Sequence, residues 1–304
     1  MTSVGERISV LVITGHDHFH HRWRVAATRL RETLDAAGAF DVRVTEEFRG
    51  AGPETLEAYD CVILAYFGAD APGEPERRFG DRAEDALFAF VREGGGIVLA
   101  HSAFSMGETW ADARGDELLR LAGGLIRRES RRAPGEEFEV TIDDPDHEIT
   151  RGLPGTWIQP IDDKFVNLRW HPDATPHVLA SLVDEPEAYL DGAYYAVDGA
   201  MPGPKLYDLA EVEKLPGVGE RHPVAWTNDY GAGRVFALTI GHVGASTIED
   251  AHEGRRTGRD VGPSVDVATR TAGFTNLLRR GTEWAATGAV TLPVVDDVLT
   301  AAPA

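Results

Sequence analysis

A chain of 304 residues with 42% apolar side chains can bury a sizeable core, either as one large α/β domain or as two small ones. Fifty acidic against thirty basic side chains leave a net charge of −20, and such a surface repels phosphate backbones and anionic lipid. Nucleic acid and membranes are therefore not expected as partners, whereas a neutral or cationic small molecule is compatible.

Cys61 is the single cysteine, so no intramolecular disulfide can form. No apolar run approaches the roughly 18 residues of a membrane span. The amino-terminal Met1–Arg7 lacks the basic start, apolar run and small-residue cleavage site of a secretory leader. The expected location is the cytoplasm.

Ile8–Ile13 is apolar and β-branched, the pattern of a strand buried on both faces. From Trp23 to Ala37 the apolar residues Val25, Ala26, Leu30 and Leu34 recur at helical spacing, and Gly38 is placed to cap that helix in a left-handed conformation. Phe40–Val44 alternates as a strand, and Tyr59–Tyr66 is a more hydrophobic, more central one. A helix is predicted over 81–93, then a tight turn at Gly94-Gly-Gly96 and a fourth strand at Ile97–Ala100. This alternation predicts an open parallel sheet with helices on both sides. Ligands in such sheets sit beyond the carboxyl ends of the strands, which directs attention to the residues after Ile13, Tyr66 and Ala100.

Residues 105–222 are rich in Gly, Pro, Asp and Arg, with strands predicted at 137–142 and 177–183. A hairpin follows, Pro223–Thr227 and Gly233–Ile240 around Asn228–Ala232. The last helix is predicted over 267–286, with Phe274, Leu277, Leu278 and Trp284 facing inward. No linker interrupts the chain, so a single domain over 1–304 is expected, its core at about 7–288.

Histidine carries the chemistry. Four of the eleven histidines fall in Thr14–His21, directly after the first strand; His101 follows the fourth strand, and His242 follows the one ending at Ile240. Three strands would each deliver an imidazole to one sheet edge, His21, His101 and His242. Imidazole is both an acid-base group near neutral pH and a ligand for zinc and similar divalent metals. His16 and His18 are expected to be solvated, and His147 to order the turn it occupies. Asp162 and Asp163 are the nearby carboxylates, able to serve as ligand, base or acceptor for a sugar hydroxyl. Ser102 follows His101 and makes no dyad by adjacency alone. Cys61, mid-strand among apolar residues, is expected as core and not as nucleophile.

Several stretches resemble the ThuA-like (trehalose-utilisation) family: Val12–Gly15 with His21–Arg24, Gly94–Phe104, His147–Pro154, Pro223–Trp226, Tyr230–Phe236, Gly241-His242 and Arg280–Ala285. Their order and spacing carry the resemblance. It implies a three-layer α/β/α, flavodoxin-like fold of the class I glutamine-amidotransferase-like kind with a mainly parallel central sheet. His101 stands at the position of that fold's cysteine nucleophile, so glutaminase activity is not expected. The family is linked to catabolism of trehalose and related disaccharides, which points to a sugar or 3-keto-glycoside as the small-molecule partner.

On this reading His101, His21, His242 and Asp163 would be catalytic, in a lyase, hydrolase or isomerase type of reaction. Arg24, Trp23, Asp162, Trp110 and Ser102 would contact substrate. The histidines would act as acid-base groups, or as ligands of a divalent metal with zinc the first candidate. The competing class is a non-catalytic sugar-binding or regulatory protein on the same scaffold, and self-association into a homo-oligomer is a base-rate expectation. The chain departs from the family at Ile161-Asp-Asp-Lys-Phe165, where the family usually has Asp-Glu-x-Tyr, and in a longer 185–222 region.

Overall fold

The computed structural model describes residues 7–15, 21–66, 78–106, 114–127, 130–133, 137–189, 209–246, 250, 253 and 262–296. Nine strands among them form one sheet: β1 (Ile8–Gly15), β2 (Phe40–Thr45), β3 (Cys61–Tyr66), β4 (Gly96–Ala100), β5 (Phe138–Ile142), β6 (Thr156–Gln159), β7 (His177–Val183), β8 (Arg221–Tyr230) and β9 (Gly233–Leu238). Their spatial order is β2-β1-β3-β4-β9-β8-β7-β5-β6. The first five run parallel; β8, β7, β5 and β6 continue the sheet antiparallel. The predicted alternation of strand and helix thus builds the parallel half. The predicted hairpin turns the chain back at Gly231, and opens the antiparallel half.

The central strands are buried on both faces, because alternate side chains serve two different layers. Leu11, Ile13, Val62, Leu64, Ile97, Leu99 and Val235 pack with Leu87 and Val91 of α2 (Asp81–Arg92) and with Leu118 and Leu121 of α3 (Gly115–Ala122). Their sequence neighbours Val10, Val12, Ile63, Val98, Phe236 and Leu238 pack on the opposite face. There they meet Leu30 and Leu34 of α1 (Trp23–Asp35) and Phe274, Leu277 and Leu278 of α4 (Ala272–Thr287). The result is a helix layer, a sheet and a second helix layer. Among the described residues no helix is long and apolar enough to cross a membrane.

The final predicted helix is in fact two elements. A 3-10 turn at Val267–Arg270 precedes α4, and Thr271 separates them with an extended backbone. Its hydroxyl accepts the Phe274 amide at 3.0 Å, the side-chain cap that starts a new helix. Trp284 stays part-exposed at the edge of the core beside His147.

Several of the family-like stretches turn out to be joints of the scaffold. The guanidinium of Arg280 is buried and donates to the Ile149 and Leu292 carbonyls at 2.7 Å, and to those of Glu148 and Arg151. It thereby fastens the 147–154 turn to α4. Gly96 lies under the same helix so closely that a Cβ there would stand 2.4 Å from the Ala285 carbonyl oxygen. Trp226 is fully buried and donates through Nε1 to the Ala122 carbonyl at 2.8 Å. Cys61 is buried as expected, and burial pushes its thiol well above the usual range.

Candidate metal centre at the carboxyl ends of the parallel strands

β4 ends at Ala100 and the chain turns sharply at His101, whose φ of 33° lies in the left-handed region. That conformation is costly for a residue with a side chain and recurs at functional turns. Its Nδ1 lies 2.7 Å from the Thr239 carbonyl oxygen. A carbonyl can only accept, so Nδ1 carries a proton, and the neutral tautomer this selects has its lone pair at Nε2. β9, beside β4, ends at Leu238 and runs through Gly241 to His242. Arg22 donates its backbone N–H to the Val243 carbonyl at 2.8 Å, which brings His21 alongside.

Asp163 completes the group from an antiparallel ribbon, Lys164–Val166 paired with Arg131–Ala133. Phe165 of that ribbon stacks on His101, centroids 5.2 Å apart and planes at 20°.

His101 Nε2 lies 3.2 Å from His242 Nδ1 and 3.5 Å from Asp163 Oδ2, and His242 Nδ1 lies 3.1 Å from the same oxygen. The His21 ring centroid is 4.9 Å from that of His242 and 5.2 Å from that of His101. One ligand atom from each of His21, His101, Asp163 and His242 lies within 4.8 Å of the other three.

Ligand atoms drawn this close can share a proton, as across the His101–His242 contact, or surround a cation. A tetrahedral zinc ion, with ligand bonds near 2.0–2.1 Å, sets its ligand atoms about 3.4 Å apart, so the spacing of the three closest atoms suits a divalent metal. The protonation states agree. Burial, with His242 and His101 close by, holds His21 well below the ordinary histidine range, so the ring is uncharged at neutral pH. Burial would raise Asp163, but Arg132 and then His242 and His101 outweigh it and hold the carboxyl well below the carboxylate range. Ligands must be deprotonated, whereas a proton shuttle needs a pKa near the working pH. His21 and Asp163 fit the first requirement and not the second.

The trehalose-utilisation (ThuA) family model matches residues 9–255. This chain belongs to the ThuA family. No curated protein matches the chain. Among solved structures, a ThuA-like protein from Parabacteroides merdae ATCC 43184 shares 23% identity, over 97% of this chain and 96% of that one, with a TM-score of 0.65. A ThuA-like protein from Bacteroides uniformis ATCC 8492 shares 18%, over 95% and 97%, with a TM-score of 0.54. A protein described as cytoplasmic, from Salmonella typhimurium LT2, shares 13%, over 91% and 99%, also with a TM-score of 0.54. At these identities the likeness establishes a common fold.

Two expected substrate contacts of this ThuA-family chain have other occupations. Asp162 is only 5% exposed. Its Oδ1 accepts the backbone N–H groups of His242 (2.9 Å) and Asp163 (2.8 Å); its Oδ2 accepts the Gly241 N–H (2.8 Å) and the Gln159 amide (2.9 Å). Both oxygens are saturated, so no acceptor remains for a sugar hydroxyl. Asp162 instead sets the backbone that carries His242 and Asp163.

Trp23 is buried in the floor of the site, and the Arg24 guanidinium lies 4.1 Å from its ring centroid. The cavity it lines, with His21, His101, Ser102, Ala100 and Phe274, measures about 30 Å³, room for a water or two and none for a sugar ring. Trp110, His16 and His18 lie outside the described residues. His147 orders its turn, with Nδ1 accepting the Ile149 N–H at 3.2 Å.

Arg132 is the site residue that the sequence did not disclose. It sits in an irregular, arginine-rich stretch with no periodic signal, and only the ribbon pairing brings it to Asp163.

Proposed function

We propose that this ThuA-family chain is a metal-dependent enzyme acting on a sugar that bears a carbonyl group, the 3-keto-glycoside class. The observation that carries the reading is the convergence of His101 Nε2, His242 Nδ1 and Asp163 Oδ2 at 3.1–3.5 Å, with His21 beside them. His101, His242, Asp163 and His21 would hold a divalent ion, zinc the first candidate for imidazole and carboxylate donors. Such an ion supplies a Lewis acid that polarises a carbonyl oxygen and acidifies the adjacent carbon–hydrogen bond. The Thr239 carbonyl holds His101 in the tautomer that exposes Nε2, and Asp162 holds the backbone of His242 and Asp163. The trehalose-utilisation description of the family supports sugar as the substrate class.

The test is a proton NMR time course with trehalose and with 3-keto-trehalose, on metal-stripped protein with and without added zinc. New sugar resonances from the keto substrate are expected only with zinc, and absent in H101A. Turnover that ignores zinc would remove the metal from the reading. Unchanged turnover in H101A would remove the site. Line broadening without turnover would point to a binding protein.

A further inference from the structure

Arg132 lies in the site with no part in holding a metal, and its placement is specific. It stands opposite Phe165 in the two-stranded ribbon, one strand bringing Asp163 and the ring that stacks on His101, the other bringing the guanidinium. Arg132 Nη2 is in close contact with Asp163 Oδ2, the same oxygen approached by His242 Nδ1 and His101 Nε2. Among the described residues that guanidinium makes no other side-chain hydrogen bond or ion pair. Its side chain is 24% exposed against 12% for Asp163, so part of it faces open space. A guanidinium has five N–H donors, and only a fraction are used here.

We propose that Arg132 is a substrate-binding residue, held on Asp163 until a divalent metal takes its place there, and then turned to the sugar oxygen on which negative charge develops. The proposal rests on the metal reading above.

The physical reason is competition for one atom. A metal held by the His101 and His242 imidazoles and by Oδ2, with His21 beside them, would occupy the space between those groups. Two cations crowded on one oxygen in a largely buried site repel each other strongly. Arginine is the partner that can yield, because its long side chain reaches the crevice from a fixed backbone. Charge balance indicates where it goes. The Asp163 carboxylate and the Arg132 guanidinium paired with it cancel, and imidazoles that bind a metal do so uncharged, so a loaded centre carries the excess charge of the metal. A substrate oxygen that is anionic, or becomes so as a ketone passes toward its enolate, restores the balance. Preorganised cations aimed at developing charge are a principal means of stabilising it. The substrate class is therefore a sugar with a carbonyl or carboxylate oxygen directed at Arg132, in preference to a fully hydroxylated one.

The experiment compares wild type, R132Q, R132M and R132K, each confirmed folded by circular dichroism and stripped of metal. Zinc affinity is measured by calorimetry. The zinc-loaded, buffer-exchanged proteins are then titrated with gluconate, a carboxylate sugar, and with glucitol, its neutral counterpart. R132Q and R132M are expected to bind zinc about tenfold more tightly than wild type, since the competing charge is gone. R132K, which keeps the charge, should stay within about threefold. Gluconate binding should weaken about tenfold or more in R132Q and R132M, with glucitol unaffected.

Weaker zinc binding in R132Q and R132M would show that Arg132 merely positions Asp163, and would overturn the proposal while leaving the metal reading intact. Unchanged gluconate affinity would likewise overturn it. No zinc binding by wild type would sink the metal reading, and this inference with it.

Discussion

Replacing Asp162 by asparagine changes one atom in a buried site and is expected to cost about 4 kcal/mol. The carboxylate accepts four hydrogen bonds, three from backbone N–H groups and one from Gln159. An asparagine oxygen can keep two of them. Its amide then faces the other two donors, and neither side can accept. Each buried donor left without a partner costs about 1–3 kcal/mol, so two give about 2–6 kcal/mol. Burial already raises the Asp162 pKa, which tempers the loss because the ionised carboxylate is not fully stabilised in the native protein. Against a typical total of about 5–15 kcal/mol the effect is large.

The assay is urea unfolding of metal-free wild type and D162N, read by the transition midpoint at constant slope. Zinc calorimetry on the folded fraction completes it. A midpoint loss equivalent to less than about 1 kcal/mol, with zinc affinity unchanged, would refute the assignment of Asp162 as the group that sets the 241–242 backbone.

Three other outcomes follow from the same geometry. G96A should lose about 2–3 kcal/mol in urea unfolding: the new methyl would stand 2.4 Å from the Ala285 carbonyl oxygen, and a helix backbone cannot rotate away as a side chain can. R280M should lose about 3 kcal/mol or more, because the carbonyls of Ile149 and Leu292 would be left buried and unpaired; limited proteolysis should then cut first near residues 148–151. Asp266 bridges Arg29 and Arg270, and although burial would raise its pKa, those pairings lower it below the ordinary 3.8. A depressed carboxyl stabilises the fold above its unfolded pKa and loses that contribution as pH falls through the folded value. Wild type should therefore exceed D266N by about 1 kcal/mol at pH 6, with the gap closing only below about pH 4 in chemical denaturation series.

Much of the parallel half was legible in the sequence, since its strands and helices follow local rules. Val10–Ile13 announce a strand buried on two faces because four consecutive residues are apolar, whereas of the stripe predicted for α1 Leu30 and Leu34 face inward, joined by Trp23 and Ala27 in place of Val25 and Ala26. The tight turn at Gly94-Gly-Gly96 follows from backbone freedom, Gly94 adopting a φ of 123°. The end of α4 was nearly right, but its start was not. A threonine cap competes with a continuous helical pattern, and only the backbone geometry shows that the cap won.

For the site, strand-end placement was enough to single out His21, His101 and His242, since parallel strands in one sheet open to one edge. Other assignments depended on contacts between residues far apart in the chain. Asp162 and Asp163 are adjacent and chemically alike, yet one is spent on four donors in the scaffold and the other aims an oxygen at the histidines. Arg132 lies 31 residues from its partner Asp163, in a stretch whose composition reads as loop, and meets it only through a three-residue ribbon. The sequence by itself determined the layers of the fold and the edge where the three histidines gather, because hydrophobic period and strand direction are local properties. Tertiary structure alone decided which carboxylate enters the centre and which cation stands on it, because hydrogen-bond saturation and charge pairing depend on what arrives from elsewhere in the chain.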